Sequence, residues 1–447
     1  MDTLFDLGIA ALKQGHAERA LGLLAEAVRR KPSDHRARLA AARALAEMGE
    51  RERALLALNS AAEGLLRRDY LLSAILAVKL ALRFNPAEKM LKQTLRQIHA
   101  RAVEVAAPSP LPPPLPGQAK PAEPAAAAEP APVDPAADLT RLRGGTLAEK
   151  ALEVLLGEDD GPKADVRKRP PLPLFVDLEP EAFVDLVERT TVREYTDKQL
   201  IVREGDAGSS VFIIVSGQAK VVAESGDQPR QLATLRGGAL FGELSILTGA
   251  PRSASIYAVS DVELFEISHD DLDLVSKTHP TVPKALAEFA QKRLAMNLLA
   301  TAPLFTLLET GHRGPVLQRF RGRIVPQGER VIEEGAPSAG LFLVLSGEFS
   351  VTKKDPSGEA VALRVLGDGD VFGEISLLSG GPASASVAAV RRSAIAFLPR
   401  EAYDELVGSY PQIEDFLVQL SQKRLSANAA AVQPAEIMDA DTEVLDG

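Results

Sequence analysis

The sequence contains no cysteine in 447 residues. This absence excludes disulfides, thiolate metal ligands, cysteine nucleophiles and thiol redox switches, and it is typical of proteins in a reducing cytosol. Long apolar runs are also missing, because no stretch reaches the ~18 consecutive apolar residues that span a bilayer. The segment Met1 to Asp6 carries acids where a targeting peptide would need bases. We therefore predict a cytoplasmic protein without a membrane segment.

The motifs of the common enzyme classes are absent as well. Walker loops, GxSxG nucleophile elbows and HExxH zinc sites do not occur in the sequence. The six histidines are scattered without the spacing of metal ligands: His16, His35, His99, His269, His279 and His312. We therefore predict a protein without enzymatic activity, without a metal site and without a cofactor.

Charge is unevenly distributed along a chain whose length predicts about two to four domains. The formal net charge of −10 argues against a general nucleic-acid binder, because phosphate binding needs clustered lysine and arginine. Residues 1–105 carry 18 Lys and Arg against 12 Asp and Glu, a net charge of +6, and the remainder carries −16. The basic N-terminal region could therefore meet an acidic partner.

Residues 1–105 are rich in Ala, Leu, Arg and Glu, a composition that predicts helices throughout. Three small residues recur after 34 positions: Gly15, Ala20 and Ala27 return as Gly49, Ala54 and Ala61. This period resembles the tetratricopeptide repeat, although Leu4 and Ala11 replace the aromatic residues usual there. We predict about six helices that present a surface to protein partners. A generic α-helical bundle is the alternative.

Residues 106–172 form the predicted linker. Its first part, 106–140, contains 11 of the 31 prolines among Ala and Glu, and such a segment acts as a semi-rigid spacer because it cannot bury a core. PxxP patterns occur at Pro110 to Pro113 and at Pro113 to Pro116, and we interpret them as parts of the spacer rather than as ligands. Leu147 to Leu156 predicts a short helix that docks on a neighbour.

The composition changes at residue 173, where short β-branched runs begin to alternate with glycine turns and 13 of the 15 phenylalanines follow. This pattern predicts compact all-β units. Segments of this region recur at a nearly constant offset. Pro173-Leu-Phe175 returns 130 residues later as Pro303-Leu-Phe305. Two further segments return after 131 residues: Phe241-Gly-Glu243 as Phe372-Gly-Glu374, and Gln291-Lys-Arg-Leu294 as Gln422-Lys-Arg-Leu425. Two copies of one fold therefore lie in tandem, at 173–301 and 302–427.

One string in the first copy is the most informative: Phe241-Gly-Glu-Leu-Ser-Ile-Leu-Thr-Gly-Ala-Pro-Arg-Ser-Ala-Ser255. It resembles the phosphate-binding cassette of cyclic-nucleotide-binding domains, the family that includes kinase regulatory subunits and the bacterial catabolite activator. The resemblance covers 173–301 and, less completely, 302–427. It implies a multidomain α+β protein with an N-terminal α-helical, tetratricopeptide-like repeat and two tandem jelly-roll β-barrels, each with flanking helices.

The cassette supplies the groups that a cyclic nucleotide needs. A cyclic phosphodiester carries one negative charge and needs a permanent cation of fork geometry, which is Arg252. A helical turn beginning near Gly242 directs backbone N–H groups at the phosphate. The resemblance assigns the ribose 2′-OH to Glu243. We expect purine contacts from apolar strand residues and from a helix after the barrel, around Leu294 to Leu298. The predicted ligand-binding set is Gly242, Glu243, Leu244, Ser245, Arg252, Ser253 and Ala254. A surface Glu–Arg pair on a barrel that binds nothing is the alternative.

The second copy departs from the cassette at one position. It keeps Glu374 but has Ala383 where the first copy has Arg252. Losing a charge-assisted hydrogen bond costs about 1.5–3 kcal/mol, and we expect Glu374 to repel an anion with nothing to offset it. Arg391 and Arg392 could reach inward only if their strand presents them so. We predict a degenerate second site with a structural role, as a docking surface or as part of a dimer contact, at Gly373, Glu374, Ile375, Ala383, Ser384 and Ala385.

These observations predict a sensor. A cyclic nucleotide enters the first barrel, the helix behind it repacks over the base, and the exposed surfaces change their affinity for a protein partner. The predicted ligand is cAMP, and cGMP is the alternative, because Ser253 is compatible with cAMP and could also meet a guanine amino group. Two barrels behind a linker resemble the layout of kinase regulatory subunits, so a kinase is one candidate partner. The nearest match to their inhibitor segment, Arg29 to Ser33, lies at a helix end. A ligand-independent scaffold built from the helical repeat and the barrels is the alternative function.

The C-terminal end argues against one further function. Few residues follow Leu425, and we therefore expect no helix-turn-helix of the kind found in catabolite-activator-like transcription factors. Residues 433–447 contain five acids and no base, and we expect the tail 428–447 to be disordered. We therefore predict neither a nucleic-acid partner nor a membrane partner, and a homodimer stays open.

Overall fold

The structure, a computed structural model, describes residues 3–105, 138–157, 161–164, 172, 174–224, 229–249, 251–290, 302–337 and 339–432. The chain divides into two compact units, Met1–Leu247 with Pro251–Ala290 and Thr248–Ala250 with Gln291–Gly447. No helix within the described ranges is long and apolar enough to cross a membrane. Two predicted features lie outside the described residues and stay predictions: the PxxP patterns of 106–137 and the purine contacts around Leu294 to Leu298. The prediction of a disordered tail over 428–447 is wrong for 428–432, because these residues continue the helix Pro411–Val432. The rest of that tail, 433–447, lies outside the described residues.

The N-terminal region contains six helices: α1 (Leu4–Lys13), α2 (Ala17–Arg30), α3 (His35–Glu47), α4 (Arg51–Arg67), α5 (Leu71–Leu82) and α6 (Lys89–Val105). The first begins with a capping box, in which the Thr3 side chain accepts from the backbone N–H of Asp6. Gly15, with φ +76°, ends it in a conformation that favours glycine. The small residues Ala20 and Ala54 are buried where helices meet. The six predicted helices are confirmed, and their assignment as tetratricopeptide repeats stays a prediction.

A seventh helix, α7 (Gly144–Leu156), packs back on this region. It contacts α2 and α4 through a buried apolar face formed by Leu147, Ala148, Ala151 and Leu155. The last carbonyl groups of a helix have no partner within it. Here the buried guanidinium of Arg38 donates to the carbonyl oxygens of Leu155 and Gly157, the second at 3.2 Å. The predicted short helix that docks on a neighbour is confirmed.

The first barrel follows α8 (Pro180–Arg189) and contains eight strands: β1 (Thr191–Tyr195), β2 (Leu200–Val202), β3 (Ser210–Ser216), β4 (Gln218–Ala223), β5 (Arg230–Arg236), β6 (Leu240–Phe241), β7 (Ser255–Ala258) and β8 (Val262–Ser268). The strands pair antiparallel in two sheets, ordered β1-β8-β3-β6 and β2-β7-β4-β5. Apolar residues of both sheets, among them Phe212, Ile256 and Leu264, form the core between them. Helix α9 (Glu243–Thr248) lies between β6 and β7, and α10 (His269–Thr278) and α11, over 281–290, follow the barrel.

The second barrel repeats this order. Its helices are α12 (Pro303–Thr306), α13 (Thr310–Leu317), α14 (Glu374–Ser379), α15 (Arg400–Ser409) and α16 (Pro411–Val432). Its strands are β9 (Arg321–Val325), β10 (Arg330–Ile332), β11 (Gly340–Ser346), β12 (Phe349–Lys354), β13 (Ala360–Leu366), β14 (Val371–Phe372), β15 (Ser386–Ala389) and β16 (Ser393–Pro399). The sheets, β14-β11-β16-β9 and β10-β15-β12-β13, have the same pairing as in the first barrel. The predicted fold class is therefore confirmed.

Within the first unit, the basic helical region packs on an acidic flank of the first barrel, formed by Glu181, Glu188, Glu194, Asp261 and Glu263. Helices α5 and α6 contact α8. Ion pairs join the two parts: Lys13 with Asp261 at 2.9 Å, Arg43 with Glu263 at 3.4 Å and with Glu194, Lys92 with Glu188 at 2.5 Å, and Arg96 with Glu181 at 3.5 Å. An acidic partner of the basic region is thus provided by the same chain.

Candidate functional site

The cassette of the first barrel begins where β6 ends. Gly242 has φ +87° and is followed directly by α9. A Cβ atom at this position would lie 2.5 Å from Nη1 of Arg252 and 2.8 Å from the carbonyl oxygen of Ser210. Glycine is therefore required both by the backbone conformation and by the space. This turn brings the two ends of the cassette, Gly242 and Arg252, into contact.

The side chain of Arg252 points into the barrel and is 8% exposed. Its Nη1 donates to the carbonyl oxygen of Gly242 at 2.9 Å, and its Nη2 donates to that of Ser210 at 2.7 Å. The backbone of the arginine is fixed as well: its amide donates to the carbonyl oxygen of Asp206 at 2.8 Å, and its carbonyl accepts from the amide of Gly205 at 2.9 Å. Hydrogen bonds thus fix both the guanidinium and the backbone of Arg252 within the predicted site.

The loop before β3 packs closely against the same arginine. A Cβ atom at Gly208 would lie 2.2 Å from Cβ of Ser245 and 3.1 Å from Cζ of Arg252. Ser245, on α9, is buried. On another side, Cζ of Arg252 lies 5.6 Å from the ring centroid of Phe212, within reach of a cation–π contact. The absence of a side chain at Gly208 therefore lets the loop, α9 and the guanidinium meet.

Arg252 keeps its charge in poorly solvated surroundings. Burial lowers the pKa of Arg252, while the neighbouring carboxylates of Glu243, Glu266 and Asp206 act in the opposite direction. Arginine nevertheless stays protonated in proteins. Within the described residues, the hydrogen-bond acceptors of the guanidinium are two neutral carbonyl oxygens. An anionic ligand oxygen would be a stronger acceptor than either of them.

The other predicted residues of the first site lie on either side of Arg252. Glu243, the first residue of α9, is only 2% exposed, and Leu244 is half-buried. Ala254 is buried, whereas Ser253 is exposed. The structure therefore keeps the predicted sugar-binding carboxylate in the interior and leaves the hydroxyl of Ser253 accessible to solvent.

The second barrel repeats the cassette frame without its cation. Gly373 has φ +89° and directly precedes α14. Phe342 and Phe372 stack with ring centroids 5.0 Å apart, the same separation as the corresponding pair of the first barrel. Ala383 is buried in the loop where the first barrel has Arg252. All six residues predicted for this site line a cavity of about 50 Å³: Gly373, Glu374, Ile375, Ala383, Ser384 and Ala385.

The prediction that nothing offsets the charge of Glu374 is wrong. Nη1 of Arg424, on α16, lies 2.8 Å from Oε1 of Glu374 and also donates to the carbonyl oxygen of Val371 at 2.6 Å. The cation comes from a helix 50 residues further along the chain. The prediction considered only the cassette and the strands after it, and it therefore missed this partner.

Arg391 and Arg392, the two candidates for replacing the cassette cation, do not line the cavity of the second barrel. They lie in the bend between β15 and β16. Nε of Arg391 is 3.8 Å from Oε2 of Glu348, and Arg392 is exposed. This bend does not present them to the site.

Four polar residues of the second cavity were missed by the sequence analysis: Arg364, Ser376, Arg424 and Asn428. A signal for three of them existed. The internal offset of 131 aligns Arg364 with Ala233, so an arginine stands where the first copy has a small residue. Arg424 belongs to the repeated segment Gln422 to Leu425, which indicated the duplication but was not considered as part of a site. The same offset aligns Ser376 with Ser245 of the first site, whereas no comparable signal pointed to Asn428.

Comparison with known proteins finds a family model that matches both barrels. A family model described as a cyclic nucleotide-binding domain matches residues 192–279 and 323–410. The first match begins in β1 and the second in β9, and each ends after the helix that follows its barrel. Each barrel is thus matched separately by the same family.

Similar proteins include kinase subunits and kinases. The cAMP-dependent protein kinase regulatory subunit of Yarrowia lipolytica is 29% identical over 237 residues, which are 53% of this chain and 59% of that protein. A cGMP-dependent protein kinase of Drosophila melanogaster, isozyme 2, is 25% identical over 244 residues, 52% of this chain and 21% of that protein. The chain therefore spans less than two thirds of the length of these relatives. A solved structure of the regulatory domain of Toxoplasma gondii PKA with cAMP is 24% identical, covers 56% of this chain and 92% of that chain, and has a TM-score of 0.28.

Proposed function

We infer that this chain, which carries two tandem cyclic-nucleotide-binding domains, is a cyclic-nucleotide sensor without catalytic activity of its own. The first barrel binds cAMP or cGMP, with the cyclic phosphate on Arg252 and the ribose 2′-OH on Glu243. Binding favours one conformation of the barrel and its flanking helices over another. The exposed surfaces of the barrels and of the helical region then change their affinity for a protein partner.

The guanidinium of Arg252 is the observation that carries this proposal. It is buried, it points into the site, and its acceptors in the described residues are the neutral carbonyl oxygens of Gly242 and Ser210. A phosphate can replace these acceptors and gain a charge-assisted pair of hydrogen bonds. A hydrogen bond to a charged group is worth about 1.5–3 kcal/mol, which is about tenfold to more than a hundredfold in affinity.

The packing of the first unit supports a route from the ligand to the helical region. Helix α8 directly precedes β1, and α5 and α6 both contact α8. A ligand-dependent shift of α8 would therefore change the contact between the barrel and the helical region. A ligand can drive such a shift only by binding the two conformations with different affinity.

A protein kinase is the partner that we propose. The support is that the relatives include regulatory subunits of cAMP-dependent protein kinase and a cGMP-dependent protein kinase. The match with the first of them covers 53% of this chain, in which the family model matches both barrels. The surface that would meet a kinase is therefore proposed to include the barrels rather than the helical region alone.

Calorimetric titration with cAMP and with cGMP tests the binding step. The wild-type chain should bind at least one of them, and Arg252→Ala should weaken this binding at least tenfold. Arg236→Ala is a matched control, because Arg236 is an exposed arginine on β5 of the same barrel. A wild-type chain that gives no heat and no thermal shift at millimolar nucleotide would instead support the ligand-independent scaffold.

A further inference from the structure

Another cavity lies in the first unit, where the helical region meets the first barrel. Its volume is about 340 Å³, within the range of roughly 300–1,000 Å³ of typical small-molecule sites. Residues of α1 and α3 line it on one side, and residues in and next to β1, β3 and β8 line it on the other. Among the described residues, none that lines this interface cavity belongs to either cassette.

The interface cavity has a partly exposed apolar lining, formed by Phe5, Ile9, Ala40, Tyr195 and Val262. Phe5 and Ile9 lie four residues apart, on the same face of α1. Both are half-buried, as is Tyr195, whereas Ala40 and Val262 are buried. Half-buried apolar side chains gain when a ligand removes their remaining surface from water. The cavity therefore favours a ligand with an apolar body.

Six charged residues also line the cavity, three cations and three carboxylates: Lys13, Arg36, Arg43, Glu194, Asp261 and Glu263. Each carboxylate already has a cation. Lys13 pairs with Asp261 at 2.9 Å, and Arg43 pairs with Glu194 and, at 3.4 Å, with Glu263. Glu263 also accepts from the hydroxyl of Ser216 at 2.9 Å. The carboxylates of the cavity are thus occupied by partners from the same chain.

Arg36 differs from the other two cations of the cavity. It is exposed in the first turn of α3, and its Cζ lies 4.7 Å from the ring centroid of Phe5. Over the ranges that the structure describes, its guanidinium has neither an ion pair nor a hydrogen-bond acceptor. The charge of Arg36 also acts on Asp6, but that carboxylate accepts from the hydroxyl and the amide of Thr3, at 2.6 and 3.0 Å. The fork of Arg36 can therefore take a carboxylate from outside the chain.

We propose that the interface cavity binds a small amphipathic monocarboxylate, with the apolar body among Phe5, Ile9 and Val262 and the carboxylate on the fork of Arg36. One water takes up ~30 Å³ of liquid, so the cavity has room for about ten non-hydrogen atoms. Such a ligand touches the helices and the barrel together and braces one against the other. The site is separate from the nucleotide site proposed for the first barrel, and it needs no residue of that site.

Ligands of similar size separate the two parts of this site. Octanoate has both an apolar body and a carboxylate. Octan-1-ol has the same apolar body but cannot form a bidentate ion pair with a guanidinium, and octylammonium is repelled by Arg36 and meets carboxylates that already have cations. Acetate has the charge without the apolar surface. We therefore expect octanoate to bind most tightly, octan-1-ol more weakly, and octylammonium and acetate least.

Calorimetric titration of the full chain with Arg252→Ala tests this order, because the cassette cation of the first barrel is then removed as a competing anion site. Octanoate should bind at low millimolar concentration or below, about threefold or more tightly than octan-1-ol. No binding of octanoate at millimolar concentration overturns the proposal. So does binding of octan-1-ol or octylammonium that equals binding of octanoate.

Reversing the charge of Arg36 tests the proposed ion pair. Arg36→Glu should reverse the order, so that octylammonium binds more tightly than octanoate. A carboxylate in the first turn of α3 is favourable for the helix, so this variant should fold. Arg19→Glu is the matched control, because Arg19 is an exposed arginine in the first turn of α2 that does not line the cavity. An order that Arg36→Glu leaves unchanged overturns the proposal.

Filling the cavity tests its apolar part. Ile9→Trp places a larger side chain in the cavity and should abolish binding of octanoate, while its thermal unfolding shows whether the chain is folded. Binding of octanoate that persists in a folded Ile9→Trp chain overturns the proposal. The charge reversal at the exposed Arg36 decides the question if Ile9→Trp does not fold.

Two further measurements distinguish other occupants. In the wild-type chain, octanoate should bind as in Arg252→Ala and should not displace a cyclic nucleotide; displacement would place octanoate in the cassette and overturn the proposal. A sizing column shows whether the chain forms a dimer. A dimer that Arg36→Glu or Ile9→Trp dissociates would mean that a second copy of the chain covers the cavity, which also overturns the proposal, whereas an unchanged oligomeric state with loss of octanoate binding supports it.

Discussion

The ammonium group of Lys79, on α5, donates to the carbonyl oxygen of Glu188 near the C-terminal end of α8. A cation at this end of a helix is favourable, because the last carbonyl groups of α8 carry partial negative charge. Burial lowers the pKa of Lys79 to about 8, although the carboxylate of Glu188 acts in the opposite direction. The helical region is thus tied to the helix that opens the first barrel through a lysine that loses charge in mildly alkaline solution.

This pKa predicts a rise in stability with pH. Between about 8 and the ordinary lysine value of 10.5 the unfolded chain binds a proton at Lys79 that the folded chain has released, so the free energy of unfolding increases with pH. Chemical denaturation at several pH values should show this increase in the wild type and a smaller one in Lys79→Met. The exposed Lys89→Met should behave as the wild type. An equal pH response in all three chains would contradict the prediction.

His35 predicts that the free energy of unfolding decreases at acidic pH. Burial, followed by the charge of Arg68, lowers the pKa of His35 to about 4. Its Nδ1 lies 3.0 Å from Nη2 of Arg68, and its ring centroid lies 4.4 Å from that of Tyr70. Between the ordinary value of 6.5 and about 4 the unfolded chain binds a proton that the folded chain does not, so stability falls as the pH falls.

The measurement for His35 is the same denaturation series at pH values from about 7 to 4.5. His35→Gln keeps a polar side chain but removes the titration, and it should flatten this part of the profile. His312→Gln, an exposed histidine of the second unit, serves as the control. A His35→Gln chain that loses stability as steeply as the wild type would show that another group is responsible.

Gly208→Ala should destabilise the first barrel and weaken cyclic-nucleotide binding together. The added Cβ would lie 2.2 Å from Cβ of Ser245 and 3.1 Å from Cζ of Arg252, so the loop, α9 or the guanidinium must shift. Overpacking of this kind costs about 1–3 kcal/mol of unfolding free energy. Gly322→Ala is the control, because nothing lies within 4 Å of a Cβ atom at that position. Unchanged stability and affinity in Gly208→Ala would show that the contact is easily relieved.

Ala383→Arg should give the second barrel the cation that its cassette lacks. The backbone at 383 is held as at Arg252: its amide donates to the carbonyl oxygen of Ala336 at 2.8 Å, and its carbonyl accepts from the amide of Gly335 at 2.8 Å. A guanidinium built on this frame points towards Gly373. In an Arg252→Ala background, we expect the affinity of the second barrel for a cyclic nucleotide to rise at least tenfold.

Ala362→Arg adds the same charge at an exposed position of β13 and serves as the control for Ala383→Arg. Calorimetry with cAMP and cGMP compares the two. A gain of binding in both variants would point to a general effect of charge, and no gain in Ala383→Arg would mean that the loop does not direct the new side chain into the cavity.

Much of the fold and the first site could be predicted from the sequence, because the relevant signals are local or repeated. The cassette around Arg252 is one continuous segment, and its glycines mark the turn that brings its ends together. The offset of about 130 residues between the two copies fixes the second barrel once the first is recognised. The placement of Arg252 could thus be anticipated from neighbouring residues alone.

The contacts that the sequence analysis missed join elements that are distant in sequence. Arg424 reaches Glu374 from a helix 50 residues away, and Lys79 reaches Glu188 across 109 residues. Such pairs depend on how helices pack on a barrel, which neither composition nor periodicity determines. Arg364 could be aligned with Ala233 in sequence, but its direction into the cavity follows only from the strand register of β13 with β12.

The position of α7 affects how the chain would respond to a protease. Both α6, before residues 106–137, and α7, after them, contact α4, and the apolar face of α7 is buried among the helices. Chain continuity between these two helices is therefore not needed to hold them in place. A single cut in that stretch would give two polypeptides on a denaturing gel that still elute together on a sizing column, with the N-terminal fragment retained by the barrel it covers.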